Sequence, residues 1–414
     1  NFREEQKGDT IRVGFNHGLS PKSNLIGSFI YQSVDLDQNQ TGNIEVTPPA
    51  ISAKANTALD DDTEGFIAEL QHLFRSEKFN LTSGIGYTNK ELKRTILFDL
   101  FDLTYPPPPF PPGLPPIVIN PPPAPPIIEE IDYERANIYV YSQIRIIDPL
   151  ILTVGLSAVS LDQEKELDEE QLNPKLGLTW QALPATVIRA AAFRELANTR
   201  LLSQTIEPTQ VAGFNQFFDD IDGTDSWRYG AAVDQKFSVN LYGGIEYSIR
   251  DLDVPLLGVP ETKAQYFNWD EEFGRAYLYW TPHNMLALSA EYQYERFDRK
   301  EHPVPLGIVD ATTHRVPLGF NFFHPSGITF RIKSTYYNQK GDFKKRDSNV
   351  IFYGQDNFWV FDTVLQYRLP KRYGLVSVGV NNVFDTQFLY QDTDPVNPTV
   401  VPERFVFGKI TLSF

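Results

Sequence analysis

Three groups of residues in this chain have side chains and spacing that could do chemistry. The first is Asp219-Asp220-Ile221-Asp222-Gly223-Thr224-Asp225, where carboxylates crowd a glycine bend. Oxygen ligands around such a bend suit a hard cation, so Asp219, Asp220, Asp222 and Asp225 are a candidate site for a divalent ion such as calcium. The run lacks the distal glutamate of a helix-loop-helix calcium motif, and a solvated acidic loop fits the same residues. The second group is Arg145, Arg189, Arg228, Glu246, Arg250, Glu291, Glu295, Arg331 and Lys333, which fall at every second position of segments that are otherwise apolar in alternation. Both signs occur, so these side chains either pair with one another or line a polar route for a solute. Glu291 and Glu295 could in principle act as acid and base. However, no nucleophile lies beside a base, and no G-x-S-x-G, phosphate loop or H-E-x-x-H occurs. The six histidines (His17, His72, His283, His302, His314 and His324) show no metal-ligand spacing. No catalytic residue and no cofactor beyond the possible cation is expected, so the chain reads as something other than an enzyme.

The third group carries recognition rather than catalysis. Thirteen prolines lie between Tyr105 and Pro126. Proline cannot donate to a ladder and favours polyproline II at ~3.1 Å per residue. Two stiff arms joined around Gly113 to Asn120 would project ~30 Å. Tyr105, Pro107, Phe110, Pro112 and Pro122 could dock a surface protein, because a preformed polyproline helix binds aromatic grooves at low entropic cost. A rigid cover without a partner fits equally.

The elements that hold these groups are strands. Phe414, Leu412, Ile410, Gly408 and Val406 lie on one face of the final segment, and Ser413, Thr411 and Lys409 on the other. The same alternation recurs about seventeen times, starting at Ile11, Val13 and Phe15. Connections alternate between short turns and long excursions near 36–63, 100–130, 162–170, 198–224, 251–265, 298–312, 339–356 and 387–403. Two further acidic runs, Asp60–Asp62 and Asp162–Glu170, fall in those excursions. A sandwich has no reason to sort its loops by length onto two ends, whereas a membrane barrel has short turns on one side and long loops on the other. The reading is therefore an all-β, transmembrane, antiparallel up-and-down barrel occupying residues 1–414. No run reaches the ~18 apolar residues of a spanning helix. Thirty Phe and 20 Tyr could supply interfacial girdles. There is no cysteine, which rules out disulfides within the chain, and a formal charge of −16 disfavours nucleic acid as a partner.

Three places carry a family resemblance. Ser377-Val-Gly-Val-Asn-Asn-Val-Phe-Asp385 with the closing strand resembles the penultimate and final strands of TonB-dependent receptors. Asn173-Pro-Lys-Leu-Gly-Leu-Thr-Trp-Gln181 followed by Val187-Ile-Arg-Ala190 is similar to another strand pair of that family, as is Trp227-Arg-Tyr-Gly230 with Asp234-Gln-Lys-Phe237. The resemblance implies the bacterial outer membrane, lipid and lipopolysaccharide as surroundings (cations could bridge the acidic loops to its phosphates), and uptake energised by a periplasmic partner. It also implies a barrel of ~22 strands, with about five strands and a plug upstream of Asn1. Parity agrees, since the strand at 11–19 would start outside the cell. A surface anchor, or an export conduit behind periplasmic helical repeats, is the alternative.

Overall fold

Alternation becomes a continuous ladder in the computed structural model, which describes residues 2–46, 51–105, 117–163, 167–197, 205–218, 220–257, 264–299, 307–344, 350–391, 400 and 403–412. In chain order the strands are β1 (Phe2–Ser20), β2 (Ser23–Val46), β3 (Ile51–Arg75), β4 (Phe79–Tyr105), β5 (Ile117–Ile119), β6 (Ile127–Ile147), β7 (Leu150–Gln163), β8 (Leu167–Leu183), β9 (Thr186–Leu196), β10 (Gln210–Val211), β11 (Phe214–Asn215), β12 (Asp225–Lys236), β13 (Leu241–Leu257), β14 (Ala264–His283), β15 (Leu286–Asp298), β16 (Gly307–Phe323), β17 (Ile328–Lys344), β18 (Ile351–Arg368), β19 (Gly374–Asn381) and β20 (Phe405–Leu412). Apart from the short β5, β10 and β11, each strand pairs antiparallel with the next, so β9 meets β12 and β4 meets β6. Seventeen long strands result, and β1 and β20 point the same way.

Register sorts the side chains onto two faces. Across β12 to β17, Val233, Ile245, Ala276 and Tyr292 form one outward row, and Leu288, Phe320 and Ile332 belong to another. These rows are apolar yet open: Ile245 is 67% exposed and Ile410 70%. Ile332 and Leu412 are exposed on the same outer face, and Leu241 is half-buried there. The opposite face buries polar groups, with Arg250, Lys175, Glu195 and Asn173 each at 3% or less. An exposed apolar belt over a buried polar interior inverts the arrangement of a soluble domain and suits a wall facing lipid. The short turns all lie at one end. About ten residues from that end suffice to cross a bilayer.

The strands continue well past that length. β2, β3 and β4 run for 24, 25 and 27 residues, or roughly 80–90 Å. The excursion read as a loop at 36–63 is largely ladder: Leu36–Val46 pair residue by residue with Ile51–Asp61, and only 47–50 lie outside the described residues. Asp61, within that supposed loop, takes a bidentate pair from Arg94 of β4 at 2.8 Å for both contacts. Pairing likewise invades 100–130, where β4 reaches Tyr105, and 339–356, where β17 reaches Lys344 and β18 starts at Ile351. Beyond the lipid both faces of a strand are wet, so the alternation that marks a strand disappears while its hydrogen bonds persist.

Part of the proline-rich excursion is also ladder. Ile117–Ile119 pair with Leu103–Tyr105, and the Asp102 amide donates to Asn120 Oδ1 at 2.7 Å. The joint expected around Gly113 to Asn120 is therefore partly folded back on β4. Pro122 is exposed. Tyr105 ends β4, and Pro107, Phe110 and Pro112 lie outside the described residues.

Candidate functional site

The interior is organised by the connection between β9 and β12. Its base is closed by the Ala197 amide on Thr224 O (2.9 Å) and the Gly223 amide on Ala197 O (3.0 Å), with Gly223 at φ +78° supplying the left-handed bend. Residues 205–218 turn inward from this base. Their tip is a two-residue hairpin joining β10 to β11, with Ala212 at φ +48° and Gly213 at φ +87°. Both central residues in the left-handed region match the turn that tight hairpins prefer.

Each part of this strap is held by the wall. At its start, Glu69 of β3 accepts from Thr205 Oγ1 (2.5 Å) and the Ile206 amide (3.0 Å), and Gln71 donates to Ile206 O. Buried Glu207 accepts from Asn137 (3.1 Å) and Tyr141 (3.0 Å) of β6. At the tip, Phe214 is 1% exposed and lies under the guanidinium carbons of Arg189 and Arg228, 5.3 and 6.0 Å from its centroid. The wall has glycine where the tip lands: a Cβ on Gly230 would sit 2.4 Å from the Phe214 ring, and one on Gly177 2.9 Å from Ala212 Cβ. At its far end the Phe217 amide donates to Glu195 (3.0 Å), and Arg228 donates to Asn215 O (2.8 Å).

These anchors lie on six strands, β3, β6, β8, β9, β12 and, once Asp220 on Arg250 is included, β13, within a run of eight consecutive strands of the sheet. Seven inter-strand spacings measure ~34 Å along the sheet. The wall is strongly curved, since Tyr266 of β14 reaches Glu169 of β8 across four inter-strand spacings. Gly230 is six residues from the end of β12 at Lys236, so the tip reaches to within ~20 Å of the short-turn end along the strand. The strap therefore crosses the lumen at membrane depth.

All nine charged positions named from the sequence lie on this inner face. Arg189 donates to Asp234 (2.6 Å) and Glu246 (3.1 Å). Arg275 pairs with Glu291 at 3.0 Å, Arg315 with Glu295, and Arg250 with Glu271 at 2.8 Å as well as with Asp220. Arg228 instead uses Asn215 O and Ser248 Oγ (2.9 Å). Arg145, Arg331 and Lys333 are exposed near the short turns. The acidic turn is dispersed rather than gathered: Asp220 reaches Arg250, Asp225 is held by Arg194, and Asp219 lies outside the described residues. Asp222 is half-buried. Among the described residues no three His, Cys, Asp or Glu side chains are placed to hold a metal.

A second segment also turns inward. After β19, Phe388 stacks on Phe358 at 4.2 Å, and Tyr390 packs edge-on against Tyr337. Gln339, 2% exposed, exchanges two 2.9 Å hydrogen bonds with the backbone of Gln391. The Asn382–Asp385 turn that carries the sequence resemblance is structural. Asn382 accepts from the Thr386 amide (2.9 Å), and Asp385 from the Arg404 amide (3.0 Å).

Glu69, Glu195, Glu207 and Glu271 were not among the residues the sequence singled out. The one available signal was Val211, Phe214, Phe217 and Phe218 inside an otherwise polar stretch.

Among solved structures the fold is well represented. The ferric-catecholate import receptor Fiu from E. coli K12 shares 13% identity, with a TM-score of 0.58 over 93% of this chain and 61% of that one. The FrpB iron transporter from Neisseria meningitidis shares 11%, with 0.58 over 97% and 71%. BauA, the ferric preacinetobactin receptor from Acinetobacter baumannii, shares 9%, with 0.59 over 99% and 63%. The chain thus spans roughly two thirds of these proteins' lengths, and at such identities the likeness speaks to fold. No curated protein sequence matches it. The model of the TonB dependent receptor-like β-barrel matches residues 1–383, most of the chain, and with seventeen antiparallel strands beneath that match, this chain belongs to the TonB-dependent receptor-like β-barrel family.

Proposed function

We propose that this barrel is the membrane-spanning part of an outer-membrane receptor that takes up a solute, with a ferric chelate as the first class to test. The observation that carries the reading is the family match over residues 1–383, a family of transporters rather than enzymes. The wall is consistent with it: an apolar belt outside, and inside a face of fixed charges already paired in place. The names of Fiu, FrpB and BauA describe a ferric-catecholate import receptor, an iron transporter and a ferric preacinetobactin receptor, which makes chelated iron the starting point. Energy would come from a periplasmic partner of the full protein, and the outer membrane of a Gram-negative cell would be its location.

The test is radiolabelled iron uptake by receptor-deficient cells expressing the full-length protein, offered catecholate, hydroxamate and citrate chelates. Uptake of one chelate that stops when a protonophore collapses the inner-membrane gradient is the expected result. Uptake of none, or uptake indifferent to the protonophore, would contradict the proposal.

A further inference from the structure

The outer face of the wall is not evenly filled. Most of the belt carries branched or aromatic side chains, yet two hollows open between its strands. The larger, about 510 Å³, lies over β13, β14 and β15. Its floor is Gly243, Ala276 and Ala290, and its sides are Phe237, Ile245, Leu278 and Tyr292. Register accounts for it: Ala276 stands directly between Ile245 and Tyr292, and Ala290 between Leu278 and Leu318. Ile245 and Tyr292 are thus two inter-strand spacings apart, or ~10 Å. The smaller hollow, about 350 Å³, repeats the plan over β1 to β4, with Ala68 directly between Phe29 and Tyr87.

Depth assigns the larger hollow to one leaflet. Trp280 lies on the outer face three residues from the short-turn end of β14, where an interfacial Trp marks the membrane boundary. Ala276 is four residues further on, which at a tilt near 40° is ~10 Å of depth, less than half of a ~25 Å apolar band. The hollow therefore opens into the leaflet beside the short periplasmic turns. Its chemistry narrows the occupant. β13, β14 and β15 are each paired on both edges, so no backbone group is left to hold a polar guest. A lining with no atoms against it forfeits its dispersion contacts. The hollow is also continuous with the lipid-facing belt, so what fills it must be apolar, narrow and already in the membrane.

We propose that the hollow over Gly243, Ala276 and Ala290 is a fixed site for an acyl chain of a phospholipid in the periplasmic leaflet, with the Ala68 hollow its lesser counterpart. The site rests on the barrel lying in lipid and not on the uptake reading.

The A276L/A290L pair should fill the hollow and leave a lipid-facing surface intact. In the full-length protein it should fold as the parent does, judged by heat-modifiable electrophoretic mobility. A231L, at an exposed outward alanine outside the hollow, is the control. After mild detergent extraction, native mass spectrometry should find phospholipid on the parent and on A231L, and at least tenfold less on the double variant. A second arm titrates the stripped parent in detergent with dioleoylphosphatidylethanolamine brominated at its double bonds. Trp280, two residues from Leu278 on the same face, should be quenched saturably, and W280F should lack that component. The double variant should need at least tenfold more of the lipid. Equal retention by parent and double variant, or quenching of Trp280 that never saturates, would overturn the site. Lipopolysaccharide retained in place of phospholipid would overturn the leaflet. A parent dimer that A276L/A290L splits would give the hollow to a second copy of the chain and overturn the lipid.

Discussion

At the scale of single residues, the interior is governed by the cost of leaving a buried charge alone. Arg250 is 3% exposed and serves both Glu271 and Asp220. Arg250→Leu should destabilise the folded barrel by about 3–5 kcal/mol, nearer the lower value because Arg299 still reaches Glu271 at 3.3 Å. Denaturant unfolding in detergent would measure this; a loss below ~1 kcal/mol, the range of exposed pairs, would mean the network is solvated. Gly230 offers a cleaner probe of the strap. Gly230→Val places methyls where the Phe214 ring lies, and overpacking of this kind costs ~1–3 kcal/mol. Relief comes if the strap leaves, so protease sensitivity at residues 205–218 should rise while the barrel stays folded. Sensitivity unchanged from the parent would show that Phe214 does not rest on Gly230.

At the scale of elements, register makes two demands. The first concerns lipid. Ile245 and Leu288 lie on the outer face, four and two residues from the short-turn ends of β13 and β15. Ile245→Arg should cost ~2–4 kcal/mol and Leu288→Arg less, because the penalty fades toward the interface. Ser289→Arg points inward and should be tolerated. Equal assembly yields for all three would show the faces to be misassigned. The second demand is electrostatic. Asp251, Asp270, Asp298, Asp310 and Asp342 stand directly opposite one another on five neighbouring strands, beyond the ten residues nearest the short turns. Like charges so placed oppose pairing. Burial, then Asp251 and Asp298, raise the Asp270 carboxyl above its ordinary range. A carboxyl raised in the folded state disfavours folding once it ionises, and that penalty is lost as pH falls toward the unfolded value. Asp270→Asn should accordingly raise the thermal midpoint at pH 7, with the gain shrinking as pH falls toward ~4 and gone below it. A gain that grew at low pH would reverse the assignment.

Much of this was legible from the sequence where one side of a strand is oily. The apolar sets beginning at Ile11, Ala136, Leu176, Leu241 and Val316 share the outer face in the ladder. Legibility fails where physics stops separating the faces. Leu36–Gly42 remain in strand with neither face buried, and so read as loop. The strap failed for a different reason. Its partners Glu69, Asn137, Arg228 and Arg250 come from strands far apart in sequence, and no local spacing announces a contact set by curvature.

At the scale of the whole molecule, seventeen strands make one curved wall, wet within and oily without. If the wall is a lipid-facing barrel, the outer row must meet acyl chains and the inner row must not. Single spin labels at successive positions of β13, from Gly243 to Arg250, in the full-length protein reconstituted in bilayers, measure this directly through collision with dissolved oxygen. Oxygen accessibility should rise and fall with a period of two, high at Gly243, Ile245, Tyr247 and Ile249 and low at Gly244, Glu246, Ser248 and Arg250. A flat profile, or maxima at Glu246 and Ser248, would contradict the account.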